Sequence, residues 1–298
     1  MAENSTTSSS GPRVWLITGT STGIGRALVQ LALEKGEIVL ATARSPAPLE
    51  DLTEKYSSTR LLVLPLDITQ PDQVRAVFSR GMEAFGRIDV VVNNAGCTAL
   101  GEVELMDEAR GRDVLETNFW GTLRVTREAV RFFREENPPG LGGRLLQMSS
   151  FLGLTGSSGS GAGFYVASKF ALEGITETLA SELDPKWNIK ITLLEPGWIR
   201  SAAASKTVWS PEEPHPAYAA NPALPTTAFR SLDLDTSNLI PWKDTRRSVE
   251  ELYKVASLPD PPLHFLLGKD AIVATRAKIA DLSGSIDKYE TWSEGLEE

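Results

Sequence analysis

TGTSTGIG, Thr18 to Gly25, follows the apolar run Val14, Trp15, Leu16 and Ile17 and precedes Ala27, Leu28, Val29, Leu31 and Ala32 at helical spacing. Gly19, Gly23 and Gly25, with the hydroxyls of Ser21 and Thr22, thus stand between a strand and a helix. Glycine there lets backbone N–H groups approach a phosphate that also lies at the positive end of the helix dipole. A ligand-free tight turn would use glycine too, and a lone glycine motif does not separate the two readings. The strand before it and the helix after it are the setting that a dinucleotide fingerprint requires.

The second strand ends about 20 residues on, where an NAD-binding chain places an acid for the ribose hydroxyls. Here the residues are ATARSP, Ala41 to Pro46. Ala43 carries no carboxylate to repel a 2′-phosphate, and Arg44 offers a guanidinium to pair with one. NADP(H) is therefore expected in preference to NAD(H).

Outward from this turn, strand-like runs occupy residues 13–18, 37–43, 61–66, 88–93, 144–149, 189–195 and 263–267. Helical patterns cover residues 23–35, 71–85, 110–136 and 165–183, then 244–256 and 269–282. About seven mostly apolar strands with helical crossovers predict an α/β doubly wound parallel sheet. Residues 1–12 read as a disordered tail and 13–298 as a single domain. The stretch 202–243, rich in proline and holding Trp209, Tyr218, Phe229 and Trp242, is too long for a connector and is expected to be a substrate lid.

A hydrophobic fraction of 41% in 298 residues suits a packed core, and a net charge of −9 without a basic stripe argues against nucleic-acid partners. No apolar run reaches the roughly 18 residues of a membrane span. The single cysteine, Cys97, excludes an internal disulfide, suits a reducing, cytoplasmic setting, and reads as a small packing residue. His215 and His264 stand far apart with no carboxylate or thiol pattern beside them, so no metal site is expected.

YVASKFALEG sets Tyr165 and Lys169 four apart on one helical face. A phenol with an ordinary pKa of about 10 is a poor acid–base catalyst near neutrality; an adjacent ammonium favours its ionised form. Taken with TGTSTGIG, NNAG (Asn93 to Gly96), Asn118 in ETNFWG, MSS (Met148 to Ser150) and EPGWIRS (Glu195 to Ser201), in that order, the chain resembles the short-chain dehydrogenase/reductase family, nearest its hydroxysteroid-dehydrogenase-like branch.

The resemblance implies a Rossmann-type fold and an NAD(P)-dependent oxidoreductase that interconverts a carbonyl and an alcohol. Tyr165 would be the proton donor or acceptor. Lys169 would tune it and hold the nicotinamide ribose. Ser150, chosen over Ser149, would hydrogen-bond the substrate oxygen. Asn118 would interrupt its helix and hold a water. Ser21, Thr22 and Ile24 would join the glycines at the pyrophosphate, Asn94, Ala95 and Gly96 would lie against the adenosine, and Asp67 and Ile68 would bracket the adenine. Pro196, Gly197, Ile199 and Ser201 would line the nicotinamide. Asp67 could instead cap the following helix, and Asn93 could bridge backbone groups between strands.

Two departures stand out: serine at position 201, where the family more often has threonine, and a glycine-rich Ser150–Tyr165 interval about two residues longer than usual, whose Ser157, Ser158 and Ser160 read as loop hydroxyls. The resemblance also implies a homodimer or homotetramer through the helices at 110–136 and 165–183. Trp198 and the lid aromatics suit a bulky hydrophobic ketone or alcohol. The alternatives are a cofactor-retaining epimerase, dehydratase or cyclase on the same fold, and an NADP(H) sensor without turnover.

Overall fold

The computed structural model describes residues 11–200, 209–232 and 238–296. The tail at 1–10, Ser201 and parts of the 202–243 stretch lie outside the described residues.

Seven parallel strands form one sheet in the order β3-β2-β1-β4-β5-β6-β7. They are β1 (Val14–Thr18), β2 (Ile38–Ala43), β3 (Leu61–Pro65), β4 (Val90–Asn93), β5 (Gly143–Met148), β6 (Ile189–Pro196) and β7 (His264–Leu267). The order reverses between β1 and β4, so two crossovers diverge there and leave a crevice at the carboxyl ends of the strands. Between the strands run α1 (Gly23–Glu34), α2 (Glu50–Lys55), α3 (Pro71–Phe85), α4 (Glu108–Leu115), α5 (Thr122–Glu135) and α6 (Gly163–Glu182). After β6 come the short α7 (Pro216–Ala219) and α8 (Pro225–Arg230), then α9 (Thr245–Val255) and, beyond β7, α10 (Lys269–Tyr289).

Burial on both faces explains why the strands lack a polar side. Trp15 and Ile17 of β1 enter one core with Leu28, Leu31 and Leu252, while Val14 and Leu16 enter the other with Phe78, Phe132 and Val125. The ends are set by local chemistry. Pro71 opens α3, and Gly86 at φ 72° closes it in the left-handed region that favours glycine. Asp107 and Asp244 accept from the backbone N–H groups of Arg110 and Arg247 to cap α4 and α9.

The pattern read as one helix at 110–136 is two, α4 and α5, joined by a π-helical segment at Glu116–Gly121. Asn118 lies in it. Its side chain is bonded in both directions to the backbone of Cys97, and Gly121 sits where a Cβ would come within 2.8 Å of Ile68. Fixed contacts on two sides thus widen the turn, a distortion common at functional sites. Residues 47–55, left without an element by their sequence pattern, hold a 3₁₀ turn (Ala47–Leu49) and α2, and α10 runs seven residues past its expected end.

Candidate active site

The glycine turn is held from below by β4. Thr18 Oγ1 accepts from the backbone N–H groups of Asn94 and Ala95, both at 3.0 Å, and Asn94 Nδ2 donates to the carbonyls of Thr18 and Gly19 at 2.9 and 3.1 Å. Asn94, rather than Asn93, is therefore the residue that bridges the strand ends. Asn93 turns the other way, donating to Gln147 and Thr126. Gly19 has φ 68° and its Cβ would stand 2.7 Å from Ala95 Cα; a Cβ on Gly25 would be 2.4 Å from Asn94 Nδ2 and 2.5 Å from the Gly19 carbonyl. Both positions admit only glycine.

No side chain caps the start of α1 at Thr22, so its first-turn N–H groups remain available to an anion. Ser21, Thr22, Gly23 and Ile24 are half-buried around that turn. Arg44 is exposed just past β2 and makes no hydrogen bond or salt bridge among the described residues. The donor set thus fits a dinucleotide pyrophosphate. Asp67 does not cap α3, whose N-cap is Gln70; its carboxylate accepts from the Thr69 backbone and hydroxyl at 2.9 and 2.8 Å. Ile68 is buried against Gly121.

At the ends of β4 and β5 the chemistry-bearing residues converge. Asn118 Nδ2 donates to the Cys97 carbonyl at 2.8 Å and to Ser168 Oγ at 3.0 Å. Lys169, buried on α6, donates to the Met148 carbonyl at 2.7 Å, and its Nζ lies 5.5 Å from the centroid of the Tyr165 ring. The Ser150 hydroxyl lies beside the Tyr165 phenol. Burial pulls Lys169 down to about 8 and pushes the Tyr165 phenol up, with the Ser150 contact opposing that rise. The expected lowering of the phenol by the ammonium is therefore not the outcome here: loss of water outweighs a cation committed to a carbonyl. Cys97, expected to be a packing residue, is exposed.

Ser149 turns away from this cluster. Its hydroxyl donates to Glu173, one turn beyond Lys169 on α6, and Glu173 lies within hydrogen-bonding reach of Glu195 on β6. Burial raises both carboxyls to about 7, aided at Glu173 by the neighbouring acid. His264, read from the sequence as remote from carboxylates, has Nδ1 2.6 Å from Glu195 and 3.7 Å from Glu173, with Nε2 3.7 Å from Glu177. Three different elements supply these groups, and neighbours along the chain give no sign of it.

Pro196 ends β6, and Gly197 donates to the Leu267 carbonyl at 2.9 Å. The Trp198 N–H donates to Asp270 at 3.0 Å, and Asp270 is in turn paired with Lys243 at 2.5 Å. Ile199 is buried and bridges to Lys243. An aromatic chain leads on from there: Trp242 to Trp198, Trp198 to Phe229, and Phe229 to Trp209, with ring centroids 5.7, 5.8 and 6.0 Å apart. Arg230 stacks over Trp209 at 4.1 Å and pairs with buried Glu102 at 2.9 Å. Sequence reasoning missed Glu102, Arg230, Lys243, Asp270 and the Glu173–Glu195 pair.

No described helix is long and apolar enough to cross a membrane. Residues 13–212 match the family model described as short chain dehydrogenase. The chain is 36% identical over 281 residues to an uncharacterized oxidoreductase C162.03 of Schizosaccharomyces pombe, covering 91% of this chain and 87% of that protein. It is also 36% identical over 205 residues to 11-beta-hydroxysteroid dehydrogenase 1A of Arabidopsis thaliana, covering 67% of this chain and 56% of that one. A solved short-chain dehydrogenase from Streptomyces avermitilis superposes with a TM-score of 0.83 at 31% identity, covering 97% of this chain and 100% of its own. With seven parallel strands, a glycine turn at the switch point and a match over 13–212, the chain belongs to the short-chain dehydrogenase/reductase family and is an oxidoreductase.

Proposed function

We propose that this protein is an NADP(H)-dependent oxidoreductase that reduces a bulky hydrophobic ketone or aldehyde to an alcohol, or runs the reverse reaction, in a reducing, cytoplasmic setting. The observation that carries the reading is a buried lysine one helical turn from a tyrosine, its Nζ held by the Met148 carbonyl at 2.7 Å and 5.5 Å from the phenol ring. When bound, a nicotinamide cofactor supplies or accepts the hydride. Gly19, Ser21, Thr22, Gly23, Ile24 and Gly25 would hold its pyrophosphate, Arg44 its 2′-phosphate, and Asp67, Ile68, Asn94, Ala95 and Gly96 its adenosine. Pro196, Gly197, Ile199 and Ser201 would face the nicotinamide, Ser201 lying outside the described residues.

Tyr165 and Ser150 together can grip one carbonyl oxygen, and a phenol kept protonated by burial is ready to give its proton to the oxygen as negative charge develops there. Lys169, held by the Met148 carbonyl, keeps a positive charge beside the resulting phenolate. Asn118 fixes the Cys97 loop and Ser168 in place at the base of α6. The 202–243 stretch serves as the lid, its Trp209 and Phe229 lying over the loops after β4 and before α6. By family resemblance, the helices at 110–136 and α6 present a homo-oligomer face; Trp120 in the π-helical segment and Phe170 on α6 are exposed.

A panel of ketones and secondary alcohols, assayed with both coenzymes by nicotinamide absorbance, tests the reading. Turnover with NADPH in preference to NADH is expected, and no turnover of any member would overturn it. Arg44→Asp should shift the NADPH-to-NADH preference by roughly 10- to 100-fold, the worth of one charge-assisted contact. An unchanged ratio would place the 2′-phosphate elsewhere.

A further inference from the structure

Helix α10 leaves the body partway along its length. Ala271 and Thr275 are buried, whereas every residue from Ile279 to Leu296 is exposed. A surface helix normally exposes its polar side. On this one Ile279, Leu282, Ile286 and Tyr289 are 61%, 49%, 63% and 47% exposed. Their spacing of three, four and three residues places them on one stripe, which Ile272 and Thr275 continue towards the body. This is a heptad seam with isoleucine at the a positions and leucine or tyrosine at the outer d positions. Over 21 residues the helix is about 31 Å long.

We propose that this stripe pairs with the same stripe of a second copy of this chain, the two helices running antiparallel about a two-fold axis that crosses the seam at the height of residue 284. The register is self-complementary. Ile279 meets the partner's Tyr289, and Leu282 meets the partner's Ile286, with the reciprocal pairs completing four layers. The same register sets Arg276 opposite the partner's Glu290, twice by symmetry. Lys278 falls opposite the partner's Trp292, and the small Ser283 and Ser285 meet their own copies at the centre, where close approach is needed.

A parallel pair has no such match. Its flanking contacts would be Lys278 with Ser283 and Ser285 with Glu290. A lipid surface is disfavoured because residues 269–294 carry four basic and five acidic side chains, whereas membrane-lying helices have basic flanks. This inference stands whether or not the proposed substrate class holds.

The test is the mass of the full-length protein in solution by light scattering. Ile279→Lys with Ile286→Lys should lower the association state by a factor of two without loss of helix signal, since both side chains are already exposed. Arg276→Glu and Glu290→Arg should each weaken association, and the two combined should restore it. In a Cys97→Ser background, Ser283→Cys should give a covalent dimer with a short bismaleimide, while Ala277→Cys, on the opposite face, should not. An unchanged mass for the lysine variant, failure of the combined charge swap to restore association, or no selective cross-link would each overturn the proposal. So would binding to phosphatidylserine-containing vesicles that the lysine substitutions abolish while leaving the mass unchanged.

Discussion

The two sides of the proposed site are held by different physics. On the cofactor side, Thr18, Asn94 and Gly25 lock together through uncharged hydrogen bonds to backbone and through the absence of side chains. On the lid side, Glu102 and Arg230, 128 residues apart, form a buried ion pair beneath a chain of aromatic rings. The first arrangement is rigid because nothing larger fits. The second depends on two charges staying paired, and a buried pair with one partner removed costs about 3–5 kcal/mol. One side can therefore stay fixed while the other opens.

Tyr165 stands where the sides meet, and its removal should have the largest effect. Tyr165→Phe keeps the ring against Phe164 and Met106 while deleting the hydroxyl that meets Ser150. The turnover rate should fall by roughly 10²- to 10⁴-fold, the usual contribution of a positioned acid. NADPH affinity, measured by fluorescence titration, should stay within a few-fold of wild type. Near-normal turnover would remove Tyr165 from the chemistry.

Next in size is Arg230→Met. Glu102 would be left buried without its cation, so the segment around α8 should detach, at about 3–5 kcal/mol for docking. Limited proteolysis should cut within 209–232, and KM for a bulky ketone should rise at least tenfold while NADPH affinity holds. Adding Glu102→Leu should recover part of the loss because no unpaired charge remains. If both variants resist protease like the wild type, the pair does not fasten the lid.

Gly25→Ala reverses the pattern, attacking the cofactor side and sparing the lid. Its methyl would press on Asn94 Nδ2 and the Gly19 carbonyl, both already fixed. Overpacking of this kind costs about 1–3 kcal/mol. Thermal unfolding should drop by several degrees and NADPH binding should weaken, with the protease pattern of the lid unchanged. Full retention of cofactor affinity would show that the turn can relax.

These contrasts also explain what the sequence could tell. The glycine turn, all seven strands and the Tyr165–Lys169 spacing are legible because each is local: period, breaker and motif lie within a few residues. Asn118 stood out through its motif, and the π-helical segment around it through nothing in the pattern, since widening comes from Cys97 and Ile68 reached across the fold. Glu102–Arg230 and Glu195–His264 join residues 128 and 69 apart, Lys243–Asp270 and Glu173–Glu195 join residues of different segments, and no periodicity marks any of them. Asn93 and Asn94 were separable only once β4 fixed which side chain faces β1.

The smallest effect expected is also the one that tests the floor beneath both sides. Glu173 and Glu195 are raised above the ordinary carboxyl value near 4.5, to about 7, chiefly by burial. Each has one oxygen with no partner unless a proton lies between them. Below about pH 4.5 both folded and unfolded chains are protonated at these sites, and the pair's contribution is complete. As pH rises towards 7 the unfolded chain gives up these protons first, so stability falls, by at most about 1.4 kcal/mol per pH unit for each group. The loss continues through pH 7, and only well above it, where both states are ionised, does the slope vanish. Glu195→Gln removes one titrating group and the repulsion it imposes on Glu173, so the decline in melting temperature between pH 5 and 7 should flatten relative to wild type. Parallel slopes for the two proteins would mean that the acids titrate normally, and the hydrogen bond from Ser149 would then rest on a carboxylate already ionised at neutral pH.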